Sequence, residues 1–283
     1  MKVLYEEFDN LRTMEVALNT RPANAVFAGR TQSSNSHDKS FTRTRSYEEA
    51  TEIFKKGWDE PLEEVKKGIA KNFKTNVTTN KIRPRNDVVG YAPCVPNAIM
   101  GLPQSMITTE RTVSKVKAVT ITYSMSVTAN YSEQQILDSG IVVLNIINDL
   151  ELQGYRVKLN LEFMATKESN DLSIVRVCVK DWRQPLDLKK LTFPIAHPSM
   201  FRRFGFRWLE TVPQLTNRGY YSGYGSSNFK DNYENACKVY KEHNLLKENE
   251  FFITSYLCIN EKYDKEKIIK RIGLEKLTTK GAN

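Results

Sequence analysis

Three consecutive stretches decide the fold: KAVTITYSMS (residues 117–126), SEQQILDSGIVVLNIINDLELQG (132–154) and YRVKLNLEFM (155–164). The first is rich in β-branched residues and predicts a strand. Ser132 with Gln135 three positions on forms a capping box, so a long helix starts there and runs to about residue 153. Gly154 ends it, and Gly140 would let it approach a sheet. A second strand follows at 155–164, and two strands joined by a helical crossover are expected to be parallel with a right-handed connection. LSIVRVCVK (172–180) is a third strand. The gap before it is too short for a crossover, so it should pair antiparallel with the second.

Downstream, helices are expected near 187–191, 199–209 and 230–243, then a fourth strand at 251–259 and a last helix from about 264 to 271. The class is α/β: a three-layer sandwich whose mostly parallel sheet has an antiparallel edge strand. Upstream, Leu4, Phe8, Leu11 and Leu18 fall near helical spacing and predict a helix over 3–19. A polar stretch at 29–45 has little to bury and reads as an extended arm. Ser46 and Glu49 form a second capping box, opening a helix with Ala50, Ile53, Phe54 and Trp58 on its apolar face. Another helix should follow from about residue 61. Residues 1–87 therefore read as a helical N-terminal region with a flexible basic arm at about 20–45, and 88–283 as the core domain. Residues 88–107, VVGYAPCVPNAIMGLPQSMI, are apolar but broken by Gly and Pro. An ordered, buried loop is expected there, with Asn97 and Gln104 supplying hydrogen bonds.

Composition narrows the function. With 40% hydrophobic and 27% charged residues, and only 13 Gly and 10 Pro in 283, collagen, wholesale disorder and a disulfide scaffold are excluded. No stretch reaches the roughly 18 apolar residues of a spanning helix, and the start, MKVLYEEFDNLR, has acids where a signal peptide is apolar. A cytoplasmic protein without membrane association is expected. Cys94, Cys178, Cys237 and Cys258 form no CxxC and read as buried free thiols rather than zinc ligands. His37, His197 and His243 lie in no motif with a nucleophile, and the phosphate-binding glycine patterns are absent. Neither catalysis nor a cofactor is expected.

The net charge of +9 is unevenly placed. Residues 46–64 are net −5, whereas 66–85 hold Lys66, Lys67, Lys71, Lys74, Lys81, Arg83 and Arg85 with no acid. The run either complements helix dipoles on a solvated face or forms a basic arm that follows a phosphate backbone. A second cluster places Arg202, Arg203 and Arg207 among Phe201, Phe204, Phe206 and Trp208. On a helix the aromatics Phe201, Phe204 and Trp208 share one face, and Arg203 and Arg207 another, either solvated or contacting phosphates. Tyr220, Tyr221 and Tyr224 beside Arg218 form either a flexible loop or a stacking surface for bases or a partner.

The strand, hydroxyl-rich loop and long helix leading into Gly-Tyr-Arg-Val resemble the first half of a von Willebrand factor A domain. In that family the loop reads Asp-x-Ser-x-Ser and holds a divalent ion. Here Ser124, Ser126 and Thr128 keep the hydroxyl spacing, but Ser124 stands where the carboxylate belongs. The resemblance therefore implies a degenerate site without metal. The chain also resembles uncharacterised proteins of bacteriophages and prophages, through SYEEATEIFKKGW (46–58), VPNAIMGLPQSM (95–106) and this A-like half. That implies phage origin but no activity. The expectation is a non-enzymatic phage or prophage interaction protein that binds nucleic acid, DNA or RNA, through basic surfaces. The alternative is an assembly protein that binds phage or host protein subunits. Either would act in the bacterial cytoplasm or on a virion, with its oligomeric state open.

Overall fold

Val3–Phe8, read from the sequence as the start of a helix, is a strand, β1. Leu4 and Phe8 are four residues apart, a spacing that suits one face of a strand as well as a helix turn. Asn10 then opens α1 (Leu11–Thr20): its side chain accepts from the Thr13 amide while Thr13 Oγ1 accepts from the Asn10 amide. This cap breaks the chain between strand and helix. The computed structural model describes residues 3–23, 39–60, 83–110, 117–166, 171–212, 233–247 and 249–275. Of the flexible arm expected at about 20–45, residues 24–38 lie outside them, as does the helix expected from 61; residues 39–45 are described and depart from the expectation, with a short helix at Lys39–Thr42 and buried Thr42 and Thr44.

The chain divides into two compact units, one drawn from 1–74 and 118–283, the other from 75–117. The boundary expected at 87/88 is thus replaced. The short helix α2 (Lys39–Thr42) and α3 (Tyr47–Lys56), the latter capped by Ser46 as expected, belong with α1 to the larger unit. Met14, Leu18, Tyr47, Ala50 and Trp58 lie in the same hydrophobic core as the sheet, so the N-terminal region is not a separate body.

The smaller unit contains β2 (Arg83–Asp87), β3 (Ala92–Pro93), α4 (Val95–Ile99) and β4 (Met106–Glu110), with strand order β2-β4-β3, antiparallel throughout.

The larger unit carries a five-stranded sheet in the order β1-β7-β6-β5-β8, where β5 is Lys117–Ser124, β6 Tyr155–Thr166, β7 Leu172–Lys180 and β8 Glu250–Thr254. β6 and β7 are antiparallel, as their short connection required, while β1 pairs parallel with β7 and β8 parallel with β5. β7 is not the expected edge strand, because β1 occupies its outer side. The helix α5 (Glu133–Leu152) joins β5 to its neighbour β6 and carries the predicted Ser132–Gln135 capping box.

Past β7 come α6 (Leu188–Ala196), a π-helical turn at Met200–Gly205, α7 (Phe206–Thr211) and α8 (Tyr233–Glu242). The last strand is shorter than predicted. Thr254 accepts a hydrogen bond from the Leu257 amide and turns the chain into α9 (Ser255–Asn260), with α10 (Lys265–Arg271) close behind. Alternate residues of β6 separate the two faces of the sheet. Val157, Leu159, Leu161 and Phe163 enter the large core, whereas Met164 joins a smaller cluster with Ala236 and Tyr240 of α8. Each aliphatic side chain removed from water here contributes about 1.5–3 kcal/mol, so helices on both faces are what holds the sheet. The cysteines are all free, but only Cys258 is buried; Cys94, Cys178 and Cys237 are half-buried.

Candidate interaction surface

Of ten large hydrophobic side chains that stand exposed among the described residues, seven lie in the smaller unit: Val88, Val89, Tyr91, Val95, Ile99, Met100 and Leu102. Ile99 is 81% exposed and Val89 79%. No residue from 84 to 109 is buried. The sequence predicted a buried loop here, and the structure reverses that. The backbone is ordered by its own hydrogen bonds rather than by burial: Tyr91 N–H to Ile107 O at 2.9 Å, Cys94 N–H to Ser105 O at 2.7 Å and Leu102 N–H to Asn97 O at 2.9 Å. Asn97 does supply a side-chain bond, donating to the Gln104 carbonyl at 2.8 Å. Gln104 takes part through its backbone, not through its amide.

Neither edge of this small sheet invites strand addition. β4 turns the carbonyls of Ser105 and Ile107 toward β3, so its residues 106, 108 and 110 face Asp87, Arg85 and Arg83 on β2. That leaves Pro84 and Asn86 on the outer edge of β2, and Pro84 has no N–H to offer. Pro93 blunts β3 in the same way. Prolines on both edges resist pairing with another strand, so recognition must use side chains on a face.

The residues singled out from the sequence fall into three groups. Lys66, Lys67, Lys71, Lys74 and Lys81 of the basic run, and Tyr220, Tyr221 and Tyr224, lie outside the described residues. Arg83 stands opposite Glu110 on β4, and exposed Arg85 bonds Asp87 at 2.7 Å. Arg202, Arg203 and Arg207 do not lie on a solvated helix side: the first two sit in the π-helical turn at Met200–Gly205, Arg207 follows in α7, and all three are buried. Arg202 donates to the carbonyls of Phe41 (2.7 Å) and Tyr131 (2.5 Å) and stacks on the Phe41 ring. Burial pulls its pKa down to about 10, against the opposing pull of Glu133. Arg203 grips Thr44 through Nε at 2.6 Å, and Arg207 donates to the Leu18 carbonyl at 3.2 Å. The three guanidiniums thus fasten α1 and the 41–44 segment to the core. The Phe201, Phe204 and Trp208 stripe is buried as expected.

His197 is also interior, packed between Trp58 and Phe193, and burial followed by the charges of Arg43 and Arg203 pushes its pKa to about 3. Its Nδ1 accepts from the Ser199 amide, while the Ser199 hydroxyl donates to the Thr42 carbonyl at 2.5 Å. The same hydroxyl also lies 2.8 Å from Thr44 Oγ1, so it is held within the core.

The second face of the sheet holds a charged cluster that sequence reading missed. Arg176 on β7 donates through Nε to Glu162 Oε1 of β6 at 2.6 Å, through Nη2 to the Leu245 carbonyl at 2.7 Å, and its Nη1 meets Glu250 of β8 at 3.1 Å. Tyr240 of α8 donates to Glu162 Oε2 at 2.9 Å. Burial raises the Glu162 carboxyl above its ordinary range even against the Arg176 guanidinium. All three side chains are at most 4% exposed, so the cluster has no access to a substrate and is an internal brace.

At the end of β5, Ser126 Oγ accepts from the Met164 amide at 2.6 Å, while the Ser124 and Thr128 hydroxyls are buried with no hydrogen-bond partner among the described residues. These are neutral oxygens. No group of three or more acids, His or Cys suited to a metal occurs among the described residues. Millimolar magnesium should leave the melting temperature unchanged. A rise of several degrees would place an ion in this loop, since a ligand specific to the folded state must stabilise it.

Among the described residues no helix is long and apolar enough to cross a membrane. A family profile described as a domain of unknown function (DUF7192) matches residues 1–276. No curated protein and no solved structure matches the chain.

Proposed function

We propose, for a chain that belongs to the DUF7192 family over residues 1–276, a non-enzymatic assembly protein that docks on another protein through the exposed apolar surface of residues 88–102. One observation carries this reading: the described residues of the smaller unit are knit by their own backbone hydrogen bonds, yet none of 84–109 is buried and seven large hydrophobics stand exposed. Patches of that kind mark interaction sites. The interior placement of Arg202, Arg203 and Arg207 also removes a nucleic-acid surface the sequence reading relied on. A degenerate A-domain-like half is supported by the order β7-β6-β5-β8 with β7 antiparallel, and phage origin by the resemblance carried by residues 46–58 and 95–106. A photocrosslinking residue at position 99, in cells carrying the intact element, should give protein adducts that survive nuclease. Nuclease-sensitive adducts, or none, would overturn the reading.

Nucleic acid stays as a second reading on one ground, the acid-free basic run at 66–85. Reversing Lys74, Lys81, Arg83 and Arg85 to Glu should leave stability within about 1 kcal/mol. It should also weaken binding to DNA or RNA and flatten its salt dependence, because fewer counterions are released. Unchanged binding of the parent and the variant in a salt titration would remove this run from the account.

A further inference from the structure

We infer that the outer edge of β1 is a docking site for an extended segment of another protein, added to the five-stranded sheet as a sixth strand and carrying basic side chains where it passes Glu7 and Asp9. The inference stands apart from the 88–102 surface and concerns the larger unit alone.

β1 lies at one end of the order β1-β7-β6-β5-β8 and pairs with β7 through six residues in unbroken parallel register. In such a ladder alternate residues turn their amide and carbonyl away from the neighbouring strand. Among the described residues no hydrogen bond reaches those outward groups of Val3–Phe8. The other sheet edges carry blocks. Pro84 and Pro93 blunt the small sheet, and at β8 the Tyr233 hydroxyl of α8 donates to the Phe252 carbonyl at 2.6 Å. VLYEEF has no proline, glycine or bulge to do the same. An unblocked edge is a template for a further strand, whose main-chain bonds give affinity and whose side chains give selectivity.

Charge chooses the occupant. Residues 3–11 hold Glu6, Glu7 and Asp9 against no base, and with Arg12, on α1, the stretch is still net −2. Glu6 is taken up inside the molecule by Arg21 at 2.6 Å and the Trp208 indole at 2.6 Å, whereas Glu7 and Asp9 are exposed. A second copy added along this edge would bring its own Glu6 and Glu7 to the same ladder, where like charges repel. A lysine or arginine is attracted instead. Screening over about 8 Å in physiological salt lets the acids on the strand act on the newcomer more strongly than the remote positive charge of the protein. Toward Val3 the edge is apolar: Leu4 packs on the large core, Val3 and Tyr5 on the smaller cluster under α8. The remaining side chains of the segment are therefore β-branched or aromatic.

A fluorescein-labelled peptide, KVTVTVTVK, is basic at both ends, so either direction brings a charge to Glu7 and Asp9. Its anisotropy with the full chain should show saturable binding, and amide exchange at alternate residues of Val3–Phe8 should slow as it saturates. Pro-Pro at the centre of the peptide, which blocks both of its edges, should weaken binding at least roughly tenfold, as should glutamate in place of both lysines. Glu7→Lys with Asp9→Lys, both exposed and so harmless to folding, should keep the melting temperature and reverse the preference between the basic and acidic peptides. No binding up to about 1 mM, binding that survives Pro-Pro, or binding indifferent to the double variant overturns the inference. Slow exchange at every residue of Val3–Phe8 in the free chain also overturns it, because the edge is then covered from within. Slowing that follows a rise in mass above 32.6 kDa without peptide gives the edge to a second copy, and the inference falls.

Discussion

Replacing Arg176 by Met is expected to destabilise the fold by about 3–5 kcal/mol, the cost of removing one partner from a buried ion pair. The side chains are similar in length, so packing is largely kept and the loss is electrostatic. Glu162 would then keep the Tyr240 hydroxyl, and Glu250 the Thr122 hydroxyl and the Lys247 amide, all neutral donors. The pH dependence identifies the cause. Glu162 already has a folded pKa above its unfolded value because it is buried, and without the guanidinium it must rise further. A raised carboxyl contributes stability that is fully present below the unfolded value of about 4.3 and is lost as pH rises through the folded one. The variant's deficit should therefore shrink toward pH 5 and grow toward pH 8. Urea unfolding at both values measures it. A deficit that does not change with pH would mean that lost packing, not unpaired charge, is what the substitution costs. Glu162→Gln added to Arg176→Met should recover part of the loss at pH 8, since it removes one of the stranded charges.

How much of this brace could be read beforehand follows from strand periodicity. LSIVRVCVK was correctly taken as a strand, but Arg176 at its centre was passed over, because nothing local shows that its alternate-residue face is covered. The partner carboxylates are 14 and 74 residues away in sequence, Glu162 and Glu250, and only the order β7-β6-β5-β8 brings the strands together. The crossover from 117 to 164 was legible because each signal was local: β-branched run, capping box, helical stripe, terminating glycine. The N-terminal strand was not, since six residues give too short a window to tell a period of four from a period of two. The arginines at 202–207 were misplaced for a different reason. A helix with one solvated side was assumed, whereas the 41–44 segment covers Arg202 and Arg203, α1 and Arg21 cover Arg207, and the guanidiniums are spent on backbone carbonyls and threonine hydroxyls. Residues 88–107 misled in the opposite direction. Apolar composition is normally a sign of burial, and only the backbone bonds within the small sheet reveal that the side chains point to solvent.

Gly140→Ala should destabilise the protein by about 1–3 kcal/mol or more, although the same change in an exposed helix would be stabilising. Gly140 was expected to let its helix approach a sheet; what it approaches is α6. A Cβ added there would stand 2.4 Å from Ala196 Cα and 2.4 Å from the Ile195 carbonyl oxygen. Both are backbone atoms, so no side-chain rotation can relieve the contact, and α5 and α6 must move apart. Against this, alanine gains about 1 kcal/mol of helix propensity over glycine. The clash should win, because separating the helices also loosens Leu137, Leu144 and Ile195, all within the large core. Gly154, just past the end of the same helix, is the control. Its φ is +84° and an added Cβ would meet nothing within 4 Å, so Gly154→Ala incurs only left-handed strain of about 1–2 kcal/mol. Thermal unfolding of the two variants separates crowding from strain. A larger residue at 140, such as Val, should deepen the first loss steeply, while Asn at 154, which tolerates the left-handed region, should recover most of the second. If Gly140→Ala proves neutral or stabilising, the close approach of α5 to α6 is not the contact that holds the two helices together.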